Sequence, residues 1–172
     1  MNAVIENILT RRSVRSYLDK QVEKESVELI VKAGRYAPSA MNGQTFQITV
    51  VRNPEILKDM YTAIPKYMGT SGEYNFYGAK TLILVSDKKD KEIGQMDCAC
   101  VAENMFLAAH SLGIGSVWIN QFRETSDCED VRAALNKAGV PAEHKVWVAV
   151  ALGYPVSKPE DKEKTAAVHW CE

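Results

Sequence analysis

Two stretches of this chain run almost without polar interruption: Thr81 to Val85 reads T-L-I-L-V, and Val146 to Leu152 reads V-W-V-A-V-A-L. A strand with one wet face alternates apolar and polar residues. Continuous runs of this kind instead belong to strands that are covered on both faces. The chain must therefore surround a sheet built on these two runs with helices, and the rest of the pattern supplies them.

Asn2 to Leu9 reads as a short helix. In Lys24 to Ala37, the residues Val27, Leu29, Ile30, Ala33 and Tyr36 recur at helical spacing, and Pro38 ends the run. Phe46 to Val51 (F-Q-I-T-V-V) reads as a strand. Pro54 opens a helix that the pattern carries to about Ala63. Residues 65–78 (P-K-Y-M-G-T-S-G-E-Y-N-F-Y-G) show no clean period and predict a loop of the length that serves as a lid. Gln95 to Leu112 is the longest helix, with Cys98, Val101, Ala102, Met105, Phe106, Ala109 and Leu112 on one stripe and Ala99 and Ala108 widening it. A helix apolar over so much of its circumference is central or lies in a subunit interface. Gly113 and Gly115 end it, Ser116 to Ile119 makes a short strand, and Ser126 or Asp127 caps a further helix through Leu135. Roughly four or five strands among helices predict an α+β class with a mixed sheet.

At 172 residues the chain is expected to form a single domain, spanning 1–172, with a polar tail from about 156 that extends over a partner or a cofactor. Its net charge of -1 argues against nucleic acid or an anionic membrane as partner. No apolar run reaches the roughly 20 residues of a spanning helix, and no charged-then-apolar leader opens the chain, so a cytoplasmic address is expected. The four cysteines, Cys98, Cys100, Cys128 and Cys171, form no C-x-x-C pair, and His169-x-Cys171 has no companion ligand pair. No metal site is expected, and the cysteines read as reduced, mostly buried small hydrophobes. Neither a G-x-G-x-x-G after the first strand nor a G-x-x-x-x-G-K-[ST] is present.

Four passages carry the functional signal. Arg11-Arg12-Ser13-x-Arg15 sets three guanidinium forks and a hydroxyl within five residues. Forked donors suit phosphate oxygens. If the stretch is extended, Arg11, Ser13 and Arg15 share one face and Arg12 and Val14 the other. The second passage is Ala37-Pro38-Ser39-Ala40-Met41-Asn42-Gly43-Gln44, and the third is Leu112 to Asn120 (L-G-I-G-S-V-W-I-N). The fourth is Leu152-Gly153-Tyr154-Pro155, followed by Lys162-x-Lys164. Singly, each is ordinary punctuation: a helix stop, a helix C-cap, a turn, a solvated tail.

Together, in this order, they resemble the FMN-dependent nitroreductase family. The resemblance runs from about Ile5 to His169 through R-R-S-x-R, P-S-x-x-N-x-Q, the A-x-N-M-x-L-A-A-x-x-L-G-x-G-S-x-W-I passage and L-G-Y-P. It implies an intertwined α+β homodimer with FMN sites shared between subunits. Arg11, Ser13 and Lys162 or Lys164 would hold the FMN phosphate, and Arg12 would line the cofactor. Arg15 would reach the N1/O2 side of the ring, where a fixed cation favours reduction. Pro38, Ser39, Ala40 and Asn42 would come from the second subunit to flank ring and ribityl chain, with Gln44 on the same loop. Trp118, Ile119, Asn120 and Gln121 would run beside the flavin, with backbone N–H groups near Asn120 and Gln121 facing N5 and O4.

The implied activity is reduction of nitroaromatics, quinones or related acceptors by ping-pong hydride transfer, with NADH or NADPH as reductant. The cofactor carries the chemistry, so no catalytic side chain is required. Alternatives are another reaction on the same fold, such as heterocycle dehydrogenation or reductive dehalogenation, or a non-catalytic flavin-binding or redox-sensing protein. The chain departs from many relatives in placing Thr45 and Phe46 where they carry proline and tryptophan, and Lys164 where they carry arginine.

Overall fold

The structure, a computed structural model, describes residues 1–69 and 74–172. Among these residues the chain runs α1 (Ala3–Thr10), α2 (Lys24–Arg35), β1 (Gln47–Val51), α3 (Pro54–Met68), β2 (Thr81–Lys88), α4 (Gly94–Ser111), β3 (Gly115–Ile119), α5 (Phe122–Thr125), α6 (Glu129–Lys137) and β4 (His144–Gly153). The strands form one sheet in the order β1-β2-β4-β3, and every strand pairing is antiparallel. The α+β class expected from the sequence holds. The parallel component of the expected mixed sheet is confined to one isolated bridge, Ser13 to Ser116.

The two apolar runs lie side by side at the centre as β2 and β4, with Leu84 opposite Ala149 and Leu82 opposite Ala151. Alternation sends Leu82 and Leu84 to one face and Ile83 and Val85 to the other. The first face packs with Met60, Ile64, Phe122, Val131 and Leu135 of α3, α5 and α6. The second packs with Ile30 of α2 and Cys98, Val101 and Met105 of α4. Each side chain buried this fully contributes about 1.5–3 kcal/mol. A register shift between Val85 and Ser86 lets β4 change phase, so that Val146 and Val148 serve opposite faces yet Ala149 rejoins Val146.

Several boundaries differ from expectation for identifiable reasons. β2 continues past Val85 because its polar residues are satisfied while buried: Ser86 Oγ lies 3.1 Å from His144 Nδ1, and Asp87 accepts from Thr45 Oγ1 at 2.8 Å. α3 carries on past Ala63 to Met68 with Pro65 inside it, held by the buried Ala63–Ile64 face and by Lys66, which donates to Asp130 at 2.7 Å. Much of the expected loop over 65–78 is therefore helix or core. Phe76 is fully buried and stacks on Phe122, and the remainder of that loop, 70–73, lies outside the described residues.

Neither Ser126 nor Asp127 caps α6. The Ser126 hydroxyl donates to Phe122 O at 2.6 Å and accepts from Val146 N at 3.2 Å, and α6 starts after Cys128. The four-residue α5 was not anticipated. Of the cysteines, Cys98 alone is buried, its thiol pushed up by burial and the neighbouring Asp87 and Asp97. Cys128 is half-buried, and Cys100 and Cys171 are exposed. No helix among the described residues is long and apolar enough to cross a membrane.

α4 proves to be the central helix. Its stripe from Cys98 to Ala109 is covered by α2, β2, β3 and β4 of the same chain, while Leu112 at the C-cap is exposed. Other apolar residues left uncovered are Val4, Ile5, Ile8 and Leu9 on α1, which buries none of its residues, and Leu29 and Tyr36 on and after α2.

Candidate functional site

Asn2 caps α1 by accepting from Ile5 N at 2.9 Å, and α1 delivers the basic stretch to the start of β3 and the end of β4. Val14 N donates to Ser116 O at 2.9 Å, Leu18 N to Tyr154 O at 2.8 Å, and Val156 N to Ser16 O at 3.2 Å. Residues 13–18 are thus laced between the start of β3 and the chain leaving β4. Close approach depends on two glycines. A Cβ on Gly115 would stand 2.8 Å from Val14, and one on Gly153 2.7 Å from the Tyr17 ring. With Val14 buried beneath, Ser13 and Arg15 stand exposed on the outer side, as alternation requires.

The tail after Gly153 forms no regular element and runs back past this strip. It closes a cavity of about 540 Å³ walled by Arg11, Arg12, Ser13, Arg15, Ser16, Ser157, Lys162 and Lys164, with Glu160 as the one carboxylate residue of the lining. Six of the residues singled out in the sequence therefore converge. Their chemistry fits a phosphate dianion: fixed forks, flexible ammonium groups and hydroxyls around one open volume. Arg12 Nε is, in addition, buried with no hydrogen-bond partner among the described residues.

The arginines are not equivalent. Arg12 turns inward, donating to the carbonyls of Leu9 and Arg11, each at 2.7 Å, and pairing with Asp161 on the tail. It closes the end of α1 and ties the tail down. The Arg11 guanidinium lies 5.6 Å from the centre of the Phe106 ring and 3.8 Å from Glu103. Arg15 is exposed. A smaller cavity of about 390 Å³ adjoins, sharing Arg11 and Arg12 and adding Thr10, His110 and Lys158. Burial first, then Arg11 and Arg12, push His110 below its ordinary pKa of 6.5. Ser157, Asp161 and His110 were not picked out from sequence. The tail acid pairs with an arginine 149 positions away, a separation at which no local pattern gives a signal.

The P-S-x-x-N-x-Q loop is built differently and lies elsewhere. Ala40–Asn42 makes one tight helical turn, and Met41, Asn42 and Gln44 all take positive φ, of 53°, 53° and 48°. Gly43 between them has an ordinary φ of -69°. Non-glycine residues in this region cost on the order of 1–3 kcal/mol each and persist only where their surroundings insist on it. Here Gln44 N donates to Ser39 Oγ at 3.1 Å, and Gln44 Nε2 donates to Asn42 Oδ1 at 3.0 Å. Met41 is 100% exposed at the tip. Asn42 and Gln44 border a cavity of about 810 Å³ between α2 and the edge strand β1. Pro38 to Gln44 take no part in the cationic cavity.

Trp118 to Gln121 lie at the end of β3. Ile119 is buried in the first core, which leaves only its backbone for any ligand. Trp118 Nε1 donates to Asn120 Oδ1 at 3.3 Å, and its ring centre stands 6.3 Å from that of Phe106. The series Arg11–Phe106–Trp118 joins the cationic cavity to this strand end. One chain therefore holds the phosphate-type site and the Trp118 strand in physical connection, while the Pro38–Gln44 loop takes no part in the cationic cavity.

Comparison with known proteins bears on this arrangement. The family profile described as the Nitroreductase family matches residues 8–68 and 66–154. A solved structure of a nitroreductase with bound FMN from Bacteroides fragilis is similar at 41% identity and a TM-score of 0.90, over 100% of both chains. An Archaeoglobus fulgidus protein, named a candidate NADH dehydrogenase/NAD(P)H nitroreductase, is 36% identical over 159 residues, 90% of this chain and 87% of its own. An NADPH-flavin oxidoreductase of Vibrio harveyi is 27% identical over 177 residues, 97% of this chain and 72% of its own.

Proposed function

The chain belongs to the nitroreductase family, and from that premise we propose that it is an FMN-dependent oxidoreductase that uses NAD(P)H to reduce nitroaromatics, quinones or related acceptors by ping-pong hydride transfer. The observation that carries the reading is the convergence of Arg11, Ser13, Arg15, Lys162 and Lys164 on one cavity from opposite ends of the chain. The FMN bound to the Bacteroides fragilis relative supports it.

Bound FMN supplies a two-electron carrier that accepts hydride and passes electrons to an acceptor. The chain's own residues bind and bias it. Arg11 and Ser13 hold the phosphate from the strip, and Lys162 and Lys164 hold it from the tail, which makes the tail from about 156 the closing wall of a single 1–172 unit. Lysine at 164 keeps the charge of an arginine without its fork. Arg12 lines the site while anchoring the tail through Asp161. Arg15 places a cation toward the N1/O2 edge and favours the reduced state. Trp118, Ile119, Asn120 and Gln121 flank the ring, Ile119 through its backbone.

Pro38, Ser39, Ala40, Asn42 and Gln44 reach the cofactor of a second copy in a homodimer. Two features support this: the loop takes no part in its own chain's cationic cavity, and Met41 at its tip and the apolar residues of α1 are left exposed by the single chain. An apolar face of that kind on a soluble chain marks an interaction site.

The test is spectroscopic. Purified protein carries a yellow cofactor that runs as FMN after heat release, and anaerobic NADH or NADPH bleaches the oxidised band. FAD in its place, or a colourless protein that takes up no FMN, defeats the reading; FMN without bleaching leaves a flavin protein that is not a reductase. Sedimentation at low micromolar concentration gives a dimer, and a monomer that retains flavin contradicts the shared site.

A further inference from the structure

The strained loop is stapled at both ends to one buried cluster. At its start, Ala40 N donates to Asp97 Oδ1 at 2.9 Å. At its end, Thr45 Oγ1 donates to Asp87 Oδ2 at 2.8 Å. Between the two carboxylates sits Lys91, whose Nζ donates to Asp97 Oδ2 and Asp87 Oδ2, each at 3.0 Å, and to Thr45 Oγ1 at 2.5 Å. Asp87 is fully buried and Asp97 nearly so. Asp87 fits against the start of α4 because residue 94 is glycine: a Cβ there would meet the carboxylate at 2.9 Å.

Burying two carboxylates around one ammonium is costly unless every group is satisfied, and the core needs no such cluster for its apolar packing. What the cluster does hold is the loop that presents Met41, Asn42 and Gln44 in conformations they would not choose. We propose that Lys91 and Thr45, through Asp87 and Asp97, are positioning residues that fix the Ser39–Gln44 loop in the shape required to flank FMN. The inference rests on the flavin reading above and adds to it residues that act through the loop.

Thr45 is the place to test it, since removing Lys91 would leave two buried carboxylates facing one another. Thr45→Val keeps the shape and deletes the hydroxyl; Thr45→Ser keeps the hydroxyl. Two quantities are read: amide hydrogen exchange in the FMN-free protein, and FMN affinity by fluorescence titration. The expected result for Thr45→Val is faster exchange at Ala40 and Gln44, unchanged exchange at Ile83 and Leu84, and FMN binding weakened about fivefold, the scale of one lost hydrogen bond. Thr45→Ser restores both readouts.

Unchanged exchange at Ala40 and Gln44 overturns the staple. Faster exchange with unaltered FMN affinity overturns its positioning role. Exchange that rises equally at Ile83 and Leu84, or a Val variant that does not fold while the Ser variant behaves as the parent, shows a general structural role and overturns it as well. A parent protein that takes up no FMN, with the exchange pattern as expected, places the failure in the flavin reading, and the proposal falls with it.

Discussion

The cationic cavity and the Ser39–Thr45 loop serve one proposed site by opposite means. The cavity is made of side-chain chemistry on ordinary backbone. An extended strip lies on β3 and β4, and its charges are displayed by simple alternation. The loop is made of conformation. Apart from Met41 its groups are small or amide-bearing, its dihedrals are strained, and its stability is supplied from beneath by buried carboxylates. Substitutions in the first should change how strongly a ligand is held. Substitutions in the second should change whether the right shape exists before any ligand arrives.

The largest effect expected of this contrast is at Arg11. Arg11→Ala removes a charge-assisted contact and should weaken FMN binding by about 1.5–3 kcal/mol, read by titration of the FMN-free protein. The midpoint potential of retained FMN stays nearly unchanged. A large shift in potential would blur the line between binding and biasing residues.

Arg15→Ala should act the other way round. Loss of about 1 kcal/mol of preference for the reduced state corresponds to a potential about 20 mV more negative, with hydride transfer from NAD(P)H slowed even at saturating FMN. An unmoved potential returns Arg15 to the surface charges.

The smallest effect concerns the loop's support and appears in acid. Burial alone would raise the Asp87 carboxyl, but hydrogen bonds from Thr45, the Lys88 N–H and Lys91 together hold it below its ordinary 3.8. A carboxylate with a lowered folded pKa stabilises fully above its unfolded value, and that contribution fades as pH falls through the folded one. Thermal stability of the parent should thus decline below about pH 3.8, and Asp87→Asn should flatten that part of the profile. A mutant profile as steep as the parent's would assign the acid sensitivity to other carboxylates.

The same contrast explains what could be read in advance. The central strands, α2, α4 and the cationic strip were legible because burial and charge leave periodic or clustered marks on the chain. β2 ran three residues beyond its apolar stretch because Ser86 and Asp87 are buried with partners contributed by His144, Thr45 and Lys91. Such satisfaction is a property of the fold, invisible where the polar residue stands in the sequence. The loop's left-handed residues were hidden in a similar way. The glycine that would ordinarily mark such a bend is present at 43 but does not carry the positive φ. Tail and strip were both identified, and the resemblance assigned them to one phosphate, while the link from Asp161 to Arg12 became evident only in three dimensions.

Arg11 and Lys164 stand at opposite ends of the chain, yet they wall the same volume. A ribosome delivers the arginine well before the lysine. Since folding proceeds as the chain emerges, N-terminal parts first, β2, α4 and β4 can pair before the cavity has its second wall. Closure of the cavity by both walls is thereby deferred until the tail has emerged, and a truncated product lacking the tail would present Arg11, Ser13 and Arg15 on an open surface.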